Sequence, residues 1–223
     1  MQIAGGGGDG NVPARLAAPT ELSSKPMLGP HHIEGYAIVS ADGMIADAGG
    51  AMPADLRNDA DQSFLQTALD RVAVVVHGRH SHEGGPRAAR RKRLILTRQI
   101  ASIAPDRSHP NALLWNPEGA TLEEAVAKLG AATDTIAVIG GTEVFGLFLP
   151  YYDAFHLTCA AHARMPGGRP LFPQLRQGKT PAEVLSGHGL RPGRKRDLDA
   201  AAGITLTTWR RADAAAEAAP QAN

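Results

Sequence analysis

Ile139-Gly140-Gly141-Thr142-Glu143-Val144-Phe145 is the stretch on which the reading of the fold turns. Before it, Thr135–Ile139 is a short apolar strand. After it, Thr142–Leu149 reads as a helix stopped by Pro150. Two glycines between a buried strand and a helix let backbone approach a phosphate closely, and the helix start offers free N–H donors. The same pattern also serves as a tight strand–helix turn, so the motif alone leaves both readings open.

Working outward, the chain alternates short strands and helices. Ile33–Ser40 is a strand. Asp55–Leu69 carries a helical stripe at Leu56, Ala60, Phe64, Leu65, Ala68 and Leu69. The β-branched run in Arg71–His77 predicts a strand buried on both faces. Leu94–Thr97 and Ala112–Trp115 are further strands. Thr121 caps a helix to Leu129, with Glu124 in the capping-box position and Gly130 as the stop. Ala154–Ala160 is a strand, and Glu183–Leu190 with Ile204–Arg210 is expected as a final antiparallel pair. Strands joined by helices predict an α/β fold, with a mostly parallel central sheet flanked by helices and a C-terminal antiparallel hairpin.

The domain is expected over residues 31–211. Residues 1–30, rich in Gly, Ala, Pro and Ser, read as a flexible arm, and 212–223 as a flexible tail. Gly5–Gly8 lacks the flanking strand and helix of a phosphate loop. Of 223 residues, 43% are apolar, enough for one sizeable core. A formal net charge of +1 gives no global field toward nucleic acid or membrane. No apolar run approaches the ~20 residues of a membrane span. The N-terminus lacks a secretory pattern, and Cys159 is the lone cysteine, so a reducing cytoplasm is expected.

Three further segments carry chemistry. Val76-His77-Gly78-Arg79-His80-Ser81-His82 again ends a strand on glycine, and Arg79 and Ser81 suit a phosphate. Metal ligation by His77, His80 and His82 is set aside, because no carboxylate or cysteine sits at ligand spacing. Arg90-Arg91-Lys92-Arg93 is a local basic run, too short and too poor in aromatics for nucleic acid. Ser40-Ala41-Asp42-Gly43-Met44-Ile45-Ala46 opens a glycine-rich loop that leads to Met52-Pro53 and to Asp55, Asp59 and Asp61. Such loops often cover active sites.

In this order the segments resemble dihydrofolate reductases over about residues 33–210. Riboflavin-pathway pyrimidine reductases share that fold, and their Asp-Gly-x-Ile-Ala loop is similar to Asp42–Ala46. The resemblance implies NADPH as cofactor and a pterin, foremost 7,8-dihydrofolate, as the small-molecule substrate. Oligomeric state stays open. Ile38 and Ile45 would line the nicotinamide pocket. Gly78, Arg79, His80 and Ser81, with Thr97 and Arg98, would take the 2′-phosphate and pyrophosphate side. Gly140, Gly141, Thr142 and Glu143 would lie along the pyrophosphate. Phe64, Arg91 and Ile139 would contact substrate, Arg91 holding the folate glutamate. Thr158 would hydrogen-bond the catalytic carboxylate.

Counting forward from Ala51-Met52-Pro53 without gaps puts that carboxylate on Asp59. Spacing back from Gly78 favours Asp61, and the local Pro-Ala-Asp-Leu pattern favours Asp55. Asp59 is taken as the acid. Ala54 stands where the family has tryptophan, a departure on the pterin side. The alternatives are a dihydromethanopterin reductase, a riboflavin-pathway pyrimidinone reductase and a non-catalytic NADP-binding relative.

Overall fold

The computed structural model describes residues 31–81, 85, 87–131 and 135–211. The expected arm, the tail, Gly5–Gly8 and His82 lie outside them. In chain order the elements are β1 (His32–Ser40), β2 (Met44–Ala46), α1 (Asp59–Leu69), β3 (Val74–Gly78), β4 (Arg93–Leu96), β5 (Ile103–Pro105), β6 (Ala112–Trp115), α2 (Leu122–Lys128), β7 (Thr135–Val138), α3 (Thr142–Phe148), β8 (Ala154–Ala160), β9 (Arg169–Pro170), α4 (Pro181–Gly187), β10 (Leu190–Pro192), β11 (Arg196–Asp199) and β12 (Ile204–Arg211).

The main sheet runs β10-β12-β8-β1-β7-β3-β4-β6-β5, with β11 paired to β12. From β8 to β6 every pairing is parallel. At one edge β12 runs antiparallel to β8 and pairs with β10 and β11; at the other, β5 runs antiparallel to β6. Val74, Val75 and Val76 are buried at the sheet's centre, as a two-faced strand requires. A large aromatic core lies around α3, where Phe145, Phe148, Tyr152, Phe155 and Phe172 are all buried. Gly35 lets β1 pass under it, since a Cβ there would fall 2.3 Å from the Phe155 ring. The other face packs Tyr36, Leu69, Val75 and Ala137 against Phe64 and Leu65 of α1. No helix among the described residues is long and apolar enough to cross a membrane.

Two expectations need correction. The stripe from Asp55 is not one helix: a 3-10 turn spans Ala54–Leu56, and α1 starts at Asp59. Asn58 is extended, and its side chain accepts from the N–H groups of Ala60 and Asp61, which fixes the later start. Glu183–Leu190 is not a strand. Thr180 caps α4 in a full capping box with Glu183, Pro181 sits in the first turn, and strand β10 begins only at Leu190. The corresponding box at Thr121 and Glu124 forms as read.

Candidate active site

A cleft of about 770 Å³ opens at the carboxyl ends of β1, β3, β4 and β7, where open α/β sheets hold their ligands. One end is made largely of backbone. Gly78 closes β3, and its N–H donates to Gly140 O at 2.7 Å. Ile139 N–H donates to Val76 O at 3.0 Å, so the two glycine turns are stitched side by side. The Gly140–Gly141 peptide is cis, and Gly140 has φ +114°, a conformation that favours glycine. The Thr142 hydroxyl donates to Pro170 O, tying α3 to β9. β9 pairs with β2 and so holds the loop that carries Ile45.

Arg79, His80 and Ser81 line this end, with Glu143 and Arg176 at its rim 3.6 Å apart. The glycine floor fits a phosphate-bearing cofactor. A Cβ at Gly141 would stand 3.5 Å from Ser81 Oγ, and one at Gly78 would stand 3.7 Å from Gly141 N, so side chains here would fill the cradle. Ile38 and Ile45 line the middle of the cleft. Thr97 and Arg98 are not among the lining residues. Thr97 is buried, its hydroxyl accepting from Gln99 N–H at 3.2 Å, and Arg98 is exposed, 3.9 Å from Glu118. They follow Leu96, which does line the cleft.

The other end is made of side chains from α1, β1, β8 and the residue that follows β7: Asp61, Phe64 and Leu65, Tyr36, His156 with Thr158, and Ile139. Asp61 is the carboxylate that meets Thr158. Burial pushes its carboxyl up from the ordinary Asp value, and the hydrogen bond from the buried Thr158 hydroxyl opposes that rise. Asp59 also lines the cleft but sits exposed in the first helical turn. The carboxylate partner of Thr158, expected at Asp59, is Asp61. Asp55 is exposed in the 3-10 turn and is not among the lining residues.

Arg91 also departs from expectation, because it is not among the residues lining the cleft. Its guanidinium is 3.0 Å from Gln66 Oε1, on the last turn of α1, and 2.7 Å from Oδ1 of Asp70, which caps that helix. It lines a separate cavity of about 380 Å³ with Arg87, Arg90 and Lys92. The Arg91 bond is the first cause holding Asp70 below the usual carboxylate range.

Sequence reasoning missed the inner wall of the substrate end. Tyr36 stacks on His156 with ring centroids 4.5 Å apart, and Phe64 lies 5.6 Å from His156. The Tyr36 hydroxyl donates to Glu34, and His156 Nε2 lies 3.8 Å from the same carboxylate. Burial would raise Glu34, but hydrogen bonds from His156 and Tyr36, with the charges of His156 and His32, bring it down to about 2. Burial first, then Glu34, pushes the Tyr36 phenol up. Period-two alternation would have found these residues: Glu34 and Tyr36 share a strand face with Ile38, and His156 shares one with Thr158.

A family model described as dihydrofolate reductase matches residues 33–180. The chain belongs to the dihydrofolate reductase family, and it is an oxidoreductase of that type. Among solved structures it resembles a protein from Shewanella sp. PV-4 assigned to riboflavin biosynthesis, at 20% identity and TM-score 0.57, covering 82% of this chain and 99% of that one. It also resembles the Enterococcus faecalis dihydrofolate reductase complexed with NADP(H) and RAB-propyl, at 17% identity and TM-score 0.56, covering 82% and 97%. A third likeness is the Thermotoga maritima diaminohydroxyphosphoribosylaminopyrimidine deaminase/5-amino-6-(5-phosphoribosylamino)uracil reductase, at 14% identity and TM-score 0.55. There 81% of this chain matches 56% of the longer protein. At these identities the structural likenesses speak for the fold. No curated protein matches the chain.

Proposed function

We propose that this protein reduces a dihydropterin with NADPH, foremost 7,8-dihydrofolate to tetrahydrofolate, in a domain spanning residues 31–211 and working in the cytoplasm. The observation that carries the reading is the Asp61–Thr158 pair, a half-buried carboxyl steadied by a buried hydroxyl at the end of the cleft away from the glycine cradle. Gly78, Gly140, Gly141 and Thr142 would hold the cofactor pyrophosphate, with Arg79, His80 and Ser81 toward the 2′-phosphate. When bound, NADPH supplies the hydride.

The chain's own residues do the rest. Asp61 accepts hydrogen bonds from the N–H groups of the pterin's pyrimidine ring and fixes its orientation. Thr158 donates to that carboxylate and keeps it aimed at the ring. Negative charge at Asp61 favours protonation of the imine nitrogen, which makes the neighbouring carbon a better hydride acceptor. Phe64, Leu65, Ile139 and the stacked Tyr36 and His156 form walls that exclude water from the ring.

A second reading, reduction of a pyrimidinone bearing a phosphosugar, is favoured by one observation. Arg91, the expected anchor of the folate glutamate, is committed to Asp70 and Gln66, whereas Arg57 lines the cleft. The test is loss of reduced-nicotinamide absorbance with purified protein, offered 7,8-dihydrofolate or 5-amino-6-(5-phosphoribosylamino)uracil. Oxidation with dihydrofolate alone supports the first reading, and oxidation with the uracil alone replaces it by the second. Tight NADPH binding with no oxidation by either would leave a cofactor-binding relative without turnover.

A further inference from the structure

Asp61 sits on α1, but α1's own turns do not fix where along the cleft its carboxyl stands. Asn58 does part of this. Its side-chain oxygen accepts from Ala60 N–H at 3.0 Å and Asp61 N–H at 3.2 Å. Aspartate or serine would cap the helix about as well. Asparagine differs in carrying a donor beside the acceptor, and that donor is used. Asn58 Nδ2 donates to Asp199 Oδ2 at 3.0 Å, across 141 positions of sequence.

Asp199 ends β11, and its other oxygen accepts from Ala202 N–H at 3.0 Å within the β11–β12 turn. With both oxygens occupied, and Asn58 the leading cause, Asp199 lies below the usual carboxylate range. A second grip lies further along α1. The Arg196 guanidinium of β11 stands 5.4 Å from the centre of the Phe64 ring, three residues past Asp61. The same hairpin holds the other partner of the acid. β12 pairs with β8, placing Leu206 opposite Thr158. One hairpin, beyond residue 180 where the family match ends, thus grips both sides of the Asp61–Thr158 bond.

We propose that Asn58 and Asp199 are positioning residues: the tether from the β11–β12 hairpin sets the register of α1 and thereby aims Asp61 at Thr158 and at the substrate ring. This rests on the reading of Asp61 as the substrate-binding acid. Asn58 lines the cleft beside Asp61, and Asp199 is not among the lining residues. Their effect passes through Asp61.

The experiment combines single-turnover reduction of 7,8-dihydrofolate with NMR of the methyl-labelled Thr158 side chain. Asp199→Ala is expected to slow hydride transfer roughly 10–100-fold, the scale of a small misplacement, with unchanged NADPH affinity. Its Thr158 methyl signal should move toward the position seen in Asp61→Asn. In an Asp61→Asn background, Asp199→Ala should cost nothing further, the non-additivity of residues acting through one group. The exchange Asn58→Asp with Asp199→Asn trades donor for acceptor while keeping a capping oxygen, and should recover most of the rate. This exchange keeps the test sound if Asp199→Ala folds poorly. Wild-type rate and an unmoved Thr158 signal in Asp199→Ala would overturn the tether and leave the functional reading standing. So would the same fractional loss in the Asp61→Asn background. A wild-type protein that reduces no dihydropterin while the Thr158 signal responds as described would overturn the reading and support the tether.

Discussion

The two ends of the cleft are built in opposite ways. The glycine end is made of backbone supplied where β3 and β7 stop, each turn contiguous in sequence with its strand. The acid end is made of side chains borrowed from α1, β1, β8 and the residue after β7, which meet only in space. A backbone site depends on what is absent, and glycines announce it. A side-chain site depends on register, and one irregular residue shifts everything after it.

That contrast predicts different responses to mutation. At the glycine end, function should fail while the fold survives. Gly141→Ala places a methyl 3.5 Å from Ser81 Oγ, ordinary contact for the protein but inside the cradle. NADPH affinity should fall about 100-fold, close to 2.8 kcal/mol, with little change in thermal midpoint. Calorimetric titration and a melting curve on the same sample check both halves. A large drop in midpoint would mean the glycine serves packing instead. Arg79→Ala should cost roughly 1.5–3 kcal/mol of NADPH binding, one charge-assisted contact, and spare NADH. Equal weakening of the two cofactors would remove Arg79 from the 2′-phosphate.

At the acid end, stability and site are entangled. Glu34 is held at about 2 by its hydrogen bonds, below its ordinary 4.5. A lowered carboxylate contributes stability above its unfolded value and loses it as pH falls through the folded one. Glu34→Gln should therefore destabilise the protein at neutral pH by about 1–3 kcal/mol. The gap to wild type should shrink below pH 4.5 and close near pH 2. Urea unfolding across that range would show it, and a gap constant with pH would mean that the charge of Glu34 is not what matters.

Legibility followed the same divide. Val74–Val76, the Gly140–Gly141 turn and the Thr121–Glu124 capping box were readable because each is a local pattern with a local cause. The capping box at Thr180 and Glu183 was equally local, but the segment read as a strand because its helix is a short one followed directly by β10. The carboxylate that meets Thr158 lies two residues past the one the count reached. Counting from Met52-Pro53 assumes one unbroken helix, whereas the chain makes a 3-10 turn, extends at Arg57-Asn58 and only then begins α1. No gap-free count shows that break. Arg91 falls in the basic run as expected, but its partner Asp70 lies at the far end of α1, a contact only the fold reveals.

Asp61 is the acid on which the proposed chemistry depends. The most direct measurement is single-turnover hydride transfer from NADPH to 7,8-dihydrofolate in Asp61→Asn and Asp59→Asn, with NADPH affinity measured alongside. Loss of a general acid–base group typically costs roughly 10²–10⁴-fold. Asp61→Asn should lose that factor with NADPH binding intact, and Asp59→Asn should keep most of its rate. Full activity in Asp61→Asn, or the large loss in Asp59→Asn instead, would contradict the account.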